Sequence, residues 1–237
     1  MTKPKDKTVS TQVSSQQEIT QFIDQINKLP VTASEKPGRI IFAIDATASR
    51  QPTWDTACQI QSSMFTQTQK LGGILTQLCY YRGFHEFQYS PWHRQSQTLM
   101  RDMQSVNCLG GHTQIGRLLQ HTLDESRRHK VNALVFIGDA VEEAADRLCD
   151  LAGQLGLVGV PIFIFHEGGN PSVGSIFKQL ATLSQGAYCP FDRHSQRRLE
   201  ELLGAVAVYA SGGMTALLNL AEKSPEAVKL LTQQIAK

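Results

Sequence analysis

The chain has 237 residues, of which 41% are hydrophobic and 19% charged, with 23 Lys and Arg against 21 Asp and Glu. Such a chain can build one substantial core, and its basic residues form no run or stripe, so nucleic acid is not expected as a partner. No apolar stretch reads as a membrane span and the start lacks a signal peptide's apolar segment, so no membrane partner and a cytoplasmic location are expected.

In chain order, residues 1–14 are rich in Thr, Gln, Ser and Lys and read as a disordered arm. A short helix is expected from Ser15, because Ser15 and Glu18 form a capping-box pair and Ile19, Phe22, Ile23 and Ile26 share one face. A linker over 31–39 follows. Strands are then expected over 39–45, 74–82, 131–138, 157–165 and 187–189, and helices over 53–70, 97–106, 113–129, 142–155, 172–184 and 195–209. Residues 84–89 alternate apolar and polar side chains close behind 74–82, which suggests an antiparallel hairpin at a sheet edge. This alternation of strand and helix predicts an α/β fold: a three-layer α/β/α, Rossmann-like open sheet, mostly parallel with one antiparallel edge strand.

Ser211-Gly-Gly213 reads as a break, followed by a short apolar helix over 214–222 and a last helix opening at Ser224-Pro225-Glu226. That last helix carries Val228, Leu231 and Ile235 on one side, and either packs back on the domain or docks a partner. The expected division is an N-terminal arm over 1–36, one domain over 37–210 and a helical tail over 211–237.

Three segments carry oxygen donors. Asp45-Ala-Thr47-Ala-Ser49 follows the apolar run Ile40-Ile-Phe-Ala-Ile44, Asp139 follows Ala133-Leu-Val-Phe-Ile-Gly138, and Thr113 follows Gly110-Gly111-His112. The two runs read as buried parallel strands, so Asp45 and Asp139 stand at strand carboxyl ends, where open α/β sheets place ligands. Two carboxylates and three hydroxyls suit a hard cation such as Mg²⁺ or Mn²⁺, which takes about six oxygens and keeps several waters. With the carboxylates acting through water, the direct ligands would be neutral and the ion would stay receptive to an outside carboxylate.

These segments resemble the metal-ion-dependent adhesion site (MIDAS) of von Willebrand factor type A (VWA) domains: Asp-x-Ser-x-Ser after the first strand, a distant Thr, and an Asp ending the fourth strand. Thr47 replaces the first Ser, keeping the hydroxyl and adding a methyl. The resemblance spans residues 37–210. It implies the VWA fold, a divalent cation (usually Mg²⁺) held by Asp45, Thr47, Ser49, Thr113 and Asp139, and a protein partner that offers the ion a Glu or Asp. It implies an interaction module, not an enzyme. Intracellular bacterial members often work with ATPases or chaperone-like proteins, and by analogy a multiprotein assembly is expected here.

Four of the five residues also have a plain structural reading. Asp45, Thr113 and Asp139 are all placed to cap helices, and Ser49 is an ordinary loop hydroxyl. His112 is the one candidate general base at the site and carries the rival reading, a metal-dependent hydrolase. A third reading is a metal-independent scaffold that binds through the terminal helices. The chain has no G-x-x-x-x-G-K-[ST], G-x-S-x-G or H-E-x-x-H, and Gly153-x-x-Gly156-x-x-Gly159 precedes a strand instead of following one.

Glu142 and Glu143 read as first-turn acids of their own helix or as a source of negative field at the site. Arg50 reads as a steering charge for an acidic ligand, and His166-Glu167-Gly-Gly-Asn170 as a rim or a turn. Arg82, His85, Glu86, Trp92 and His93 read as a solvated sheet edge with one packed tryptophan. Five cysteines without a C-x-x-C pair read as reduced core thiols.

Overall fold

The computed structural model describes residues 36–191, 196–222 and 226–235. The helix expected from Ser15, and most of the linker after it, lie outside these residues. Apolar runs form strands β1 (Gly38–Asp45), β2 (Ile74–Arg82), β3 (Glu86–His93), β4 (Ala133–Gly138), β5 (Ile162–Glu167) and β6 (Ala187–Phe191). They make one six-stranded sheet in the order β3-β2-β1-β4-β5-β6. Every neighbouring pair is parallel except β2 and β3. From β1 the chain builds outward to β3, then crosses to β4 and builds the other way. The reversal therefore falls between β1 and β4, the position where such sheets open a crevice for ligands. Register sets Ile44 opposite Ile137, so Asp45 ends beside Gly138, one residue before Asp139.

Helices cover both faces, as expected. Ile40, Phe42 and Ile44 point to one face, where they pack with α1 (Gln51–Ile60), α2 (Ser62–Thr68), α3 (Ser96–Gln104) and α7 (Gln196–Ala221). Ile41 and Ala43 point to the other, against α4 (Ile115–Arg128), α5 (Ala145–Leu157) and α6 (Pro171–Leu183). The period of two along the strand produces this division. Both layers are closed to solvent at their centres: Phe42, Phe163, Phe165 and Phe177 are each fully buried.

Several boundaries differ from expectation, each for a local reason. The helix expected over 53–70 starts earlier and is broken at Gln61 into α1 and α2. The edge strand runs from Glu86 to His93 rather than over 84–89, because the hairpin turn, opened by Gly83 (φ 57°), takes up residues 83–85. It carries Pro91 at the sheet edge, where a missing N–H costs no ladder bond. Opposite it the register shifts between Gln77 and Cys79, and the Ser90 hydroxyl accepts the Leu78 N–H at 3.0 Å. The strand expected over 157–165 begins only at Ile162, since α5 continues to Leu157.

The helical tail expected to be separate from residue 211 is part of the domain. Gly213 (φ 70°) kinks α7 without ending it. Leu217 and Ala221 beyond the kink, and Val228 and Leu231 of α8 (Glu226–Ile235), share one apolar cluster with Phe163 and Phe165. Gln234 accepts the Tyr188 N–H at 2.9 Å, tying α8 to the outer strand β6. By length and composition α7 is also apolar enough to cross a membrane, contrary to the expectation that no segment would be. Its apolar side chains are spent on the core, with Leu199, Leu202, Leu203 and Val206 almost fully buried. All five cysteines are free, and burial pushes the Cys58 and Cys189 thiols up to about 11, as unreactive core thiols.

Candidate metal centre

Four segments meet at the carboxyl ends of β1, β4 and β5. The segment after β1 is held to its neighbours by backbone: the Ala46 N–H donates to Tyr81 at 3.0 Å, and Leu109 N–H donates to the Ala46 carbonyl at 3.0 Å. The 107–113 loop is held at further points. Arg82 donates to the Asn107 carbonyl at 2.8 Å, and His112 N–H donates to the Gly83 carbonyl at 3.1 Å. Gly111 allows this approach, since a Cβ there would sit 2.0 Å from the Gly83 carbonyl oxygen. The glycine pair thus brings the loop onto the hairpin turn and leaves Thr113 next to the β4 loop.

Asp45 has no exposed surface. One carboxyl oxygen accepts the Thr47 N–H at 2.7 Å and the other accepts the Tyr81 hydroxyl at 3.2 Å. Burial pushes its pKa above the ordinary carboxylate value; bonds from the Thr47 amide and hydroxyl pull it down, and the charge of Asp139 pushes it up again. Burial also keeps the Tyr81 phenol protonated, so it remains a donor to Asp45. Thr113 is buried and exchanges two bonds with Glu142. Its N–H donates to the carboxylate at 2.8 Å, and its hydroxyl accepts the Glu142 N–H at 3.0 Å. Ser49 is exposed, and its hydroxyl bonds none of the other four residues. Thr47 is therefore tied to Asp45, Asp139 stands one strand over where its charge reaches Asp45, Thr113 is held beside the loop after Asp139, and Ser49 is exposed.

Arg50 does something the sequence did not suggest. It is 1% exposed, too deep to steer an incoming ligand. Its guanidinium meets Asp139 Oδ2 at 3.3 Å and Glu167 Oε2 at 2.5 Å. Glu167, the last residue of β5 and also buried, accepts the Thr53 hydroxyl as well. Glu167 is thus neither rim nor flexible turn but a buried carboxylate at a third strand end. Its place just past the strand end expected at residue 165 was the one signal that could have found it. Arg50 offered no such signal, because Ser49-Arg50-Gln51-Pro52 reads as surface loop. His166 beside it bonds the Tyr188 hydroxyl at 2.8 Å, and burial pushes its pKa down against the pull of Asp139.

Glu143 caps a helix that is not its own, and Glu142 holds Thr113 just ahead of that helix. Glu143 accepts the Ile115 and Gly116 N–H groups at 2.5 and 2.8 Å, while α5 starts only at Ala145. The first turn of α4 has no acid of its own and no side-chain bond from its own N-cap residue, so the neighbouring loop supplies the charge its N-terminus favours. A Cβ at Gly116 would sit 2.9 Å from the Glu143 oxygen, so glycine leaves the carboxylate its place. His112 is largely exposed, with its ring edge-on to Phe84 and Nδ1 3.2 Å from Glu142.

A divalent cation fits this set in charge and donor type. When ionised, Asp45 and Asp139 bring two negative charges; Asp45 is bonded by neutral donors, and the guanidinium against Asp139 is shared with Glu167. Among the described residues no three His, Cys, Asp or Glu side chains gather as a metal-binding group; the candidate set has only two carboxylates and draws its other donors from hydroxyls.

No protein-family model matches the chain, and no curated protein matches its sequence. Solved structures do match its fold. The chain is similar to the SpRpn10 VWA domain at 14% identity, covering 69% of this chain and 95% of that one, with a TM-score of 0.55. It is similar to the vWF domain of the type V pili tip protein Mfa5 from Porphyromonas gingivalis at 10% identity, covering 72% and 94%, with a TM-score of 0.57. A third likeness is to proximal thread matrix protein 1 from the mussel byssus, whose MIDAS motif is occupied by zinc, at 14% identity over 72% and 46%, TM-score 0.52. At such identities the likeness is one of fold: the α/β/α sandwich with an antiparallel edge strand is a VWA-like fold.

Proposed function

We propose that this chain is a metal-dependent protein–protein interaction module of the cytoplasm. Asp45, Thr47, Ser49, Thr113 and Asp139 would hold Mg²⁺ or Mn²⁺, and the bound ion would supply an open coordination position for a Glu or Asp of a partner protein. The observation that carries this reading is Asp45, a fully buried carboxylate at the sheet's switch point whose protein partners are only neutral donors. A carboxylate in that position is costly to ionise unless a cation stands against it. The zinc in the MIDAS motif of the mussel byssus protein supports the same use of this fold.

The residues around the ligands divide the work. Tyr81 and the Thr47 amide orient the Asp45 carboxyl group. Glu142 holds Thr113 by its amide and through its hydroxyl. Phe84 and Leu109, both exposed large apolar side chains on the loops nearby, offer a partner contact area beside its acid. An assembly with an ATPase or chaperone-like protein belongs to the same proposal, by analogy with the VWA resemblance.

Calorimetric titration of Mg²⁺ and Mn²⁺ tests the site, followed by capture from native extract with and without EDTA. Asp45→Ala and Thr113→Ala should keep the fold, lose the metal and lose the captured partner. Partner retention by both variants, or in EDTA, would show binding without metal.

A further inference from the structure

The geometry points to Arg50 as a tethered cation that shares Asp139 with the metal and sets how tightly the metal is held; this rests on the proposed metal site. Arg50 directly follows Ser49, a candidate ligand, yet its side chain turns inward and becomes buried. One guanidinium nitrogen is spent on Glu167 and the other on Asp139 Oδ2, with a further bond of 3.4 Å to the Ser49 carbonyl. The Nε is buried without a hydrogen-bond partner, so the two carboxylates, not full satisfaction of its donors, hold the group in place. Thr53 completes the cluster by donating to the same Glu167 oxygen that Arg50 uses.

Three consequences follow for the site. Asp139 has one oxygen committed to Arg50, which leaves the other for the metal or its water. A fixed positive charge stands one carboxylate away from the ion, which opposes its entry and lowers its affinity. Because the guanidinium bridges β4 and β5 ends to the β1 loop, Asp139 is also held in one orientation whether or not the metal is bound. Arg50 is therefore a positioning residue whose charge weakens the site it orders. Its purely structural alternative, a buried clasp with no bearing on the metal, predicts no change in metal affinity when the clasp is replaced by apolar groups of similar volume.

Titration of the full chain with Mn²⁺ alone separates the two. Arg50→Met combined with Glu167→Met removes both charges of the clasp while keeping volume, and frees Asp139. This double variant should bind Mn²⁺ about tenfold more tightly than the wild type. Arg50→Lys, which keeps the charge, should stay within about twofold of wild type. A folded double variant with unchanged or weaker Mn²⁺ affinity, beside a wild type that binds, overturns the role of Arg50 and leaves the metal site standing. If neither protein binds Mn²⁺, the metal site and the role of Arg50 fall together. A silent wild type beside a binding double variant supports the role in its strongest form. Should circular dichroism show the double variant unfolded, Arg50→Gln, which keeps a hydrogen bond within reach of Glu167, is read by the same criteria.

Discussion

Two pairs of acids stand at the same end of the sheet and are used in opposite ways. Glu142 and Glu143 are met by N–H groups: those of Thr113, Ile115 and Gly116 point at their carboxylates. Their charge answers a helix N-terminus, and that need is filled within the chain. Asp45 and Asp139 sit one strand apart at the switch point. Asp45 meets only a hydroxyl or two and one amide, and Asp139 shares a single guanidinium with Glu167. The lesson is that an acid's environment, not its count or spacing, decides whether it is structural or available. Carboxylates saturated by fixed dipoles stabilise the fold, whereas buried carboxylates short of positive charge favour binding a cation.

Four changes would break or sharpen this contrast, from the largest effect to the smallest. Arg50→Met alone takes the shared guanidinium away from Asp139 and from buried Glu167 and should cost about 3–5 kcal/mol in urea unfolding, most of it recovered when Glu167→Met is added. A loss under about 1 kcal/mol would mean that the clasp is not desolvated in solution. Glu143→Ala strands two N–H donors of α4 and should cost about 1–2 kcal/mol, with the Mn²⁺ titration unchanged. An altered titration would merge the two acid pairs into one site.

Asp45→Asn tests the other pair with the opposite sign. Removing a buried charge should raise the stability of the metal-free protein by about 1 kcal/mol while ending its response to Mn²⁺. A drop in melting temperature would make Asp45 a cap, like the glutamates. The smallest effect lies away from both pairs. His121 stacks on Tyr89 with ring centroids 4.3 Å apart and bonds Gln77 at 2.9 Å, and burial pushes its pKa below the ordinary histidine value. The unfolded chain then takes up a proton near pH 6.5 that the folded chain resists. Stability should fall as pH drops below that value, by on the order of a few tenths of a kcal/mol, and His121→Gln should remove this slope. Melting curves at pH 7 and 5 measure it.

Much of the fold was legible from local pattern. The runs at 40–44 and 133–138 marked buried parallel strands, and the distance between them required a crossover, so Asp45 and Asp139 were placed at strand ends before any contact was known. The hairpin edge was legible too, with its boundary displaced by the turn at Gly83. The tail was not. Ser211-Gly-Gly213 resembles a break, but Leu217 and Leu231 reach the sheet's core, and that burial outweighs the cost of a kinked glycine.

By itself, then, the sequence determined the layers, the strand ends and the kinds of donor gathered there, because side-chain period and connection length are local properties. Only the tertiary structure decided which charge meets which. Arg50 finds Glu167 across 117 positions, and Glu143 caps a helix that begins 28 residues before it. Such pairings depend on where loops from different strands converge, and on the cost of burying an ion without its partner, neither of which is written in any single stretch of chain.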